Sequence, residues 1–225
     1  MDRGYSQYCP VAKGAEVFAE RWTPLILRNL YLGCRSFGEI HRGVPRMSRS
    51  LLSQRLAALE RDGIVQRRPS PSGRGWHWYL TPAGQELNDV GIALGTWAAR
   101  WMTLGPRDYD PGIVLWAWCR LLDPERLPPR RVVVRFDLCD RPKERFWLVV
   151  DRPDAEVCVT PPGFDEDLIV ATDSRTLTKV HTGRLPLGEA IRAGTWQAQG
   201  PPELARALMT WGGLSPFAGV TSARE

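Results

Sequence analysis

Met47-Ser48-Arg49-Ser50-Leu51-Leu52-Ser53-Gln54-Arg55-Leu56-Ala57-Ala58-Leu59-Glu60-Arg61-Asp62-Gly63-Ile64-Val65 is the stretch on which the first half of the chain turns. Leu52, Leu56 and Leu59 stand at i, i+4 and i+7, so a helix buries all three on one face. Ser48 occupies the N-cap place, and Gly63 marks the point where the chain leaves the helix. The opposite face carries Ser50, Ser53, Gln54 and Arg61, with Arg46 and Arg49 at the entry. Short polar groups and arginines on the outside of a short helix suit the floor of a DNA major groove. Taken alone, the same pattern also describes an ordinary amphipathic surface helix, and the neighbouring segments decide between the two.

Upstream, Cys9-Pro10 opens a helix with Val11, Ala15, Phe18 and Ala19 at helical spacing. Thr23-Pro24 starts a second, with Thr as N-cap and Pro at the first helical position. Ser36-Phe37-Gly38-Glu39 reads as a capping box that begins a short third helix. Two short helices joined by a tight turn, the second polar on its outer face, form the helix-turn-helix pattern. Downstream, residues 64–68 read as a strand, residues 69–75 as a turn-rich tip, and residues 76–80 as an aromatic second strand. A hairpin directly after a recognition helix is a wing, and its arginines are placed to reach phosphate or the minor groove; a solvated basic hairpin is the plainer alternative. The candidate DNA contacts are therefore Ser36, Arg46, Ser48, Arg49, Ser50, Ser53, Gln54, Arg55, Arg67, Arg68 and Arg74. After Thr81-Pro82, Leu87, Val90, Leu94, Trp97 and Trp101 recur at alternating spacings of three and four. That is an a/d seam, suited to pairing with the same helix of a second subunit or to packing on the next domain of the chain.

The charge supports this division of labour. The 225 residues carry 30 Lys and Arg against 25 Asp and Glu. Residues 1–102 hold 14 of the basic and 8 of the acidic residues, and the rest hold 16 and 17, so all the excess positive charge lies in the first half. A polyanion is the partner such a half is expected to meet. The five cysteines are scattered with no C-x-x-C pair, which argues against a zinc site or a disulfide framework. No apolar run approaches the roughly 20 residues of a membrane span, and the N-terminus lacks an apolar signal-type segment. The expectation is a cytoplasmic protein with reduced thiols, no membrane association, no metal and no cofactor.

Residues 103–111 read as a linker, and residues 112–220 as a second domain. Asp110-Pro111 caps a helix, and Val132, Val134, Phe136 and Leu138 alternate as a half-buried strand. Further strands are expected at residues 146–150, 157–159, 168–172 and 195–199, with helices after Asp173, Gly183 and Pro201. Their order predicts an α+β domain with one covered sheet face, and the short connections predict antiparallel strands.

Residues 9–102 resemble the HxlR-type winged helix-turn-helix transcriptional regulators, relatives of the MarR group. The residues that carry the resemblance are Cys9-Pro10-Val11, the run from Arg21 to Leu30, Phe37-Gly38-Glu39-Ile40, and Ser48 with the run from Leu51 to Leu56. Leu59-Glu60-Arg61-Asp62-Gly63 and Tyr79-Leu80-Thr81-Pro82-Ala83-Gly84 complete it. The family implies a homodimer on a roughly palindromic operator, with paired recognition helices in major grooves about one helical turn apart. Some members sense oxidants or electrophiles through an N-terminal cysteine. Cys9 occupies that place, at a helix start that can lower a thiol pKa. The second half resembles the sterol-carrier-protein fold through the runs Leu168 to Asp173, Thr182 to Gly194 and Thr195 to Gly200. That resemblance implies an apolar cavity for a lipid or another hydrophobic molecule. Trp116, Phe136, Phe146, Trp147, Trp196 and Met209 are the candidate lining residues, with plain core as the alternative for each.

Catalysis is not expected. His41, His77 and His181 lie far apart with no nucleophile motif, and no Gly-rich phosphate loop is present. The leading expectation is a dimeric operator-binding regulator controlled by a hydrophobic molecule bound in the second domain. One alternative makes Cys9 a redox sensor and the second domain structural. Another is a lipid carrier with a vestigial DNA module, which would have no need of a basic first half.

Overall fold

The computed structural model describes residues 4–224; Met1 to Arg3, at the start of the N-terminal stretch, lie outside them. The chain divides into two compact units, Met1–Trp97 and Ala98–Glu225.

The first unit opens with α1 (Pro10–Phe18), α2 (Thr23–Tyr31), α3 (Phe37–Arg42) and α4 (Arg49–Arg61). The hairpin of β1 (Val65–Pro69) and β2 (Trp76–Leu80) comes next, then α5 (Pro82–Trp101), inside which the division falls. Ser36 and Glu39 close a reciprocal capping box at the start of α3, and the Ser48 hydroxyl accepts from the Leu51 N–H at the start of α4. Thr23 behaves differently. It is the first helical residue of α2 rather than its cap, and it is fully buried. At the end of α4, Gly63 takes φ +71°, and the Ile64 N–H reaches back to the Leu59 carbonyl at 2.9 Å. A left-handed residue followed by this return bond is a stop that glycine makes at no steric cost. Leu52, Leu56 and Leu59 are buried with Ile26, Leu27, Leu30 and Ile40. Each such side chain contributes about 1.5–3 kcal/mol by leaving water. Gly84 is needed for a different reason: a Cβ there would collide with the carbonyl oxygen of Ile64, so α5 meets the chain just before β1 backbone to backbone.

The second unit contains α6 (Pro111–Arg120), β3 (Val132–Leu138), β4 (Arg145–Asp151), β5 (Asp154–Cys158), β6 (Leu168–Thr172), α7 (Ser174–His181), α8 (Leu187–Arg192), β7 (Trp196–Gln199) and α9 (Pro202–Ala207). Asp110 caps α6 and Asp173 caps α7, each carboxylate accepting from a backbone N–H three residues on. The five strands lie in the order β5-β4-β3-β6-β7. The wholly antiparallel expectation fails at one place: β3 and β6 are parallel, with Val134 opposite Leu168 and Phe136 opposite Val170. Short connections exclude a parallel pair only between strands adjacent in sequence. Here the whole β4–β5 hairpin intervenes, so the chain has ample length to return on the other side of β3.

Helices cover one face of this sheet. Val132, Val134, Phe136 and Leu138 of β3 and Phe146, Leu148 and Val150 of β4 join Trp118, Leu177, Trp196 and Trp211 in one core. The alternate residues Val133, Trp147 and Val149 form a small separate cluster on the opposite face. Beside it, the Trp147 indole N–H donates to Glu166 at 3.0 Å and holds that carboxyl below the usual carboxylate range.

His181 is the buried titratable group of the helix-covered core. Its ring stacks near Trp118, and Nδ1–H donates to the Gly213 carbonyl at 2.7 Å. Burial pushes its pKa down, only partly opposed by that hydrogen bond. The unfolded chain therefore binds more protons than the fold as pH drops below the ordinary histidine value of about 6.5, and stability is lost in that direction. Thermal unfolding followed from pH 7.5 to 5.5 is expected to show a fall in Tm that is smaller in His181→Gln.

Candidate nucleic-acid interface

The helical period places the residues of α4 before any tertiary contact is considered. With Leu52, Leu56 and Leu59 turned inward, Ser50, Ser53, Gln54, Ala57 and Arg61 are exposed along one outer face. Arg46, Ser48 and Arg49 are exposed at its N-terminal end. The Arg49 guanidinium lies over the Phe37 ring of α3 at 4.9 Å, a cation–π contact that steadies the side chain while leaving it outside.

Asn29 and Arg28 of α2 fix where this face points. The buried Asn29 amide donates to the Ile40 carbonyl at 2.9 Å, and Arg28 donates to the Gly43 carbonyl at 2.9 Å. Both carbonyls belong to the end of α3, where a helix leaves acceptors without internal partners. Burial pushes the Arg28 pKa down. His41 Nε2–H donates to the Met47 carbonyl at 2.9 Å, tying α3 to the entry of α4.

Three predicted contact residues have other work in the fold. Arg55 is half-buried and bonded to Glu20 at 2.8 Å. The Ser36 hydroxyl is committed to the capping box with Glu39, at 3.2 Å from its N–H and 3.0 Å from its carboxylate. Arg67 pairs with Glu60 at 3.2 Å and lies over the Trp76 ring at 4.8 Å. Arg68 lies over Tyr79 at 5.1 Å and stays exposed. Arg74 stands exposed at the hairpin tip between Gly73 and Gly75, which take φ +72° and +81°.

The wing contains a piece that the sequence reading missed. Ser36 forms an antiparallel bridge with His77, and the Trp78 N–H donates to the Arg35 carbonyl at 2.9 Å. The segment before α3 thus adds a third edge to the β1–β2 hairpin. A bridge of this size has no sequence period of its own. Glu20 and Glu60, the acids that engage Arg55 and Arg67, were missed for the same reason: their partners lie 35 and 7 residues away. Of the α5 seam, Val90, Leu94 and Trp97 in the first unit are about half exposed, and Leu87 is half-buried. Trp101, in the second unit, is exposed. Cys9 is a half-buried free thiol at the N-cap of α1.

The six candidate lining residues of the second unit do not stand together. Trp116 is buried, Phe136, Phe146 and Trp196 are packed in the main core, and Trp147 belongs to the cluster on the opposite sheet face. Met209 alone of the six lines a groove beside the turn between α7 and α8.

The model of the HxlR-like helix-turn-helix family matches residues 17–105. An uncharacterised HTH-type transcriptional regulator of Mycobacterium bovis is 38% identical over 108 residues, which is 47% of this chain and 65% of that protein. The uncharacterised HTH-type transcriptional regulator YvaP of Bacillus subtilis is 33% identical over 99 residues, 43% of this chain and 92% of YvaP. Among solved structures, the reduced form of the transcriptional regulator YodB from B. subtilis is 32% identical, with a TM-score of 0.37. It covers 41% of this chain and 92% of that one. The chain belongs to the HxlR-like helix-turn-helix family of transcriptional regulators.

The Arg55–Glu20 pair yields a direct check on which arginines serve the fold. Arg55→Ala and Glu20→Ala are each expected to lower stability, and the double variant to lose less than the sum. A coupling of about 0.2–1 kcal/mol is expected from urea unfolding of the four proteins.

Proposed function

We propose that this protein is a homodimeric, sequence-specific DNA-binding transcriptional regulator whose second unit receives a hydrophobic small molecule. The observation that carries the DNA-binding reading is the outer face of α4. Arg49, Ser50, Ser53 and Gln54 are exposed together on a helix whose other face is anchored in the core, next to a hairpin with an exposed arginine at its tip. Major-groove readout needs donors and acceptors held on a rigid helix, and the wing arginines supply sequence-independent phosphate attraction. Arg49, Gln54, Ser50 and Ser53 are the proposed base-reading set. Arg46, Arg68 and Arg74 are proposed for phosphate, and Arg55 is left to the fold.

Dimerisation is supported by the apolar surface of the first unit. Val90 is 50% exposed, Leu94 48% and Trp97 54%, an apolar stripe at i, i+4 and i+7 along α5 of the kind that marks an interaction site. Pairing through α5 places two copies of α4 about a two-fold axis, as a palindromic operator requires. For the second unit, a five-stranded sheet with its helices on one face is consistent with the sterol-carrier-protein likeness seen in the sequence.

The test is binding to the DNA upstream of the protein's own gene, with and without reductant. Absence of any sequence-specific shift at moderate salt would sink the regulator reading. Arg49→Ala or Gln54→Ala is expected to cost about 1–3 kcal/mol on the preferred site and to relax sequence preference. Arg74→Ala is expected to weaken all sequences alike and to flatten the salt slope by about one. A reductant effect that Cys9→Ser abolishes would move the sensor from the second unit to Cys9. Leu94→Glu puts a carboxylate into the proposed seam, and sedimentation equilibrium is expected to show monomer where the parent protein is dimeric.

A further inference from the structure

The second unit contains a groove of about 420 Å³. Val180, Leu185, Leu187, Met209, Leu214 and Ala218 line it, with two glycines and a proline. No charged or polar side chain is among these lining residues. The volume falls in the range of small-molecule sites, and the lining offers an occupant dispersion and desolvation but no hydrogen-bonding side chain. A charge carried into it would find no partner among the lining side chains.

Two walls define the groove. One is the turn between α7 and α8, where Gly183 takes φ +72°. The other is the segment after Gly213, which is strapped to the end of α7 by the Ser215 N–H donating to the His181 carbonyl at 2.8 Å. The walls touch: a Cβ on Gly183 would stand 2.7 Å from the Ala218 Cβ.

Both walls also hold the end of α5. Arg184, the neighbour of Gly183, donates from Nη2 to the Ala99 carbonyl at 3.1 Å and lies 3.4 Å from that of Met102. The Ala223 N–H, five residues beyond Ala218, donates to the Arg100 carbonyl at 2.8 Å. The last carbonyls of a helix have no partners within it, so these contacts are its cap, and the cap is built from residues that adjoin the groove walls in the chain.

We propose that this groove is the receptor site for an uncharged, hydrocarbon-rich small molecule. Its entry moves the Ala218 wall from Gly183 and releases the cap on the last turn of α5. The proposal rests on the reading of the protein as a ligand-controlled regulator, and it locates the site and its first structural consequence. It places the site at the flank of the core, on Val180, Leu185, Leu187 and Met209, rather than among the aromatic side chains, which are packed against one another. A ligand shifts such an equilibrium only by binding the uncapped state more tightly, and it does so here because the capped state holds the walls together.

Nile red, an uncharged apolar dye, is the probe for the full-length protein. Saturable one-to-one fluorescence enhancement, reversed by 1-decanol, is expected. Leu214 is 45% exposed, so substitutions there should leave far-UV circular dichroism unchanged. Leu214→Glu is expected to weaken Nile red at least tenfold, and Leu214→Met to stay within threefold of the parent. Saturating 1-decanol is expected to speed amide hydrogen exchange at Ala223 and over the last turn of α5 at least fivefold. In Arg184→Ala exchange there should already be fast, with the dye bound more tightly than by the parent and little further response to decanol. Non-saturable dye binding, or Leu214→Glu binding like the parent, overturns the site. Unchanged exchange at the end of α5 in the decanol-loaded parent overturns the release. Neither readout involves DNA, so loss of the operator reading alone would leave both outcomes standing.

Discussion

Leu52, Leu56 and Leu59 cannot be buried without turning Ser50, Ser53 and Gln54 out to solvent. The 3.6-residue period couples the two sets, and the first unit depends on that coupling. The leucines supply the free energy that docks α4 against the core. The same rotation presents the polar set on the outside of a helix held by its other face. The buried Asn29 amide and the half-buried Arg28 guanidinium then fix the end of α3, and His41 ties that end to the entry of α4. Preorganisation of this kind lowers the ordering cost of binding.

The basic residues divide according to what lies beside them. Arg55 meets Glu20, and Arg67 meets Glu60 and an indole ring, so part of their charge is spent inside the unit. Arg49 and Arg68 rest on aromatic faces, which orient a guanidinium without neutralising it. Composition counts all of these alike. The two pairs cancel within the net charge, so the excess of the first half is carried by the remaining arginines, and the positions of two glutamates decide which those are.

In the second unit the aromatic side chains that the sequence offers as pocket walls are mostly the packing itself. Trp118, Phe136 and Trp196 lie with ring centroids 6.3 Å apart, so the volume between sheet and helices is filled by rings. The groove lies instead beside the α7–α8 turn, lined by aliphatic residues and glycines, of which Met209 alone was a candidate wall in the sequence. Emptiness is a property of what fails to meet, and no local pattern encodes it. The parallel pairing of β3 with β6 is equally non-local: it depends on which side of β3 the chain returns to after a hairpin.

By itself the sequence determined the helical period of α4, the capping box at Ser36, the stop at Gly63, the hairpin, the caps at Asp110 and Asp173, and the alternation along β3. All of these arise from interactions within a few residues, where side-chain size, capping chemistry and backbone freedom act directly on φ and ψ. The tertiary structure alone decided which arginines are held by glutamates, that Ser36 bridges to the wing, that β3 and β6 run parallel, and where the second unit leaves room. Those outcomes depend on contacts between residues far apart in the chain. Their geometry exists only once the cores have closed and each side chain has found the neighbours that burial forces upon it.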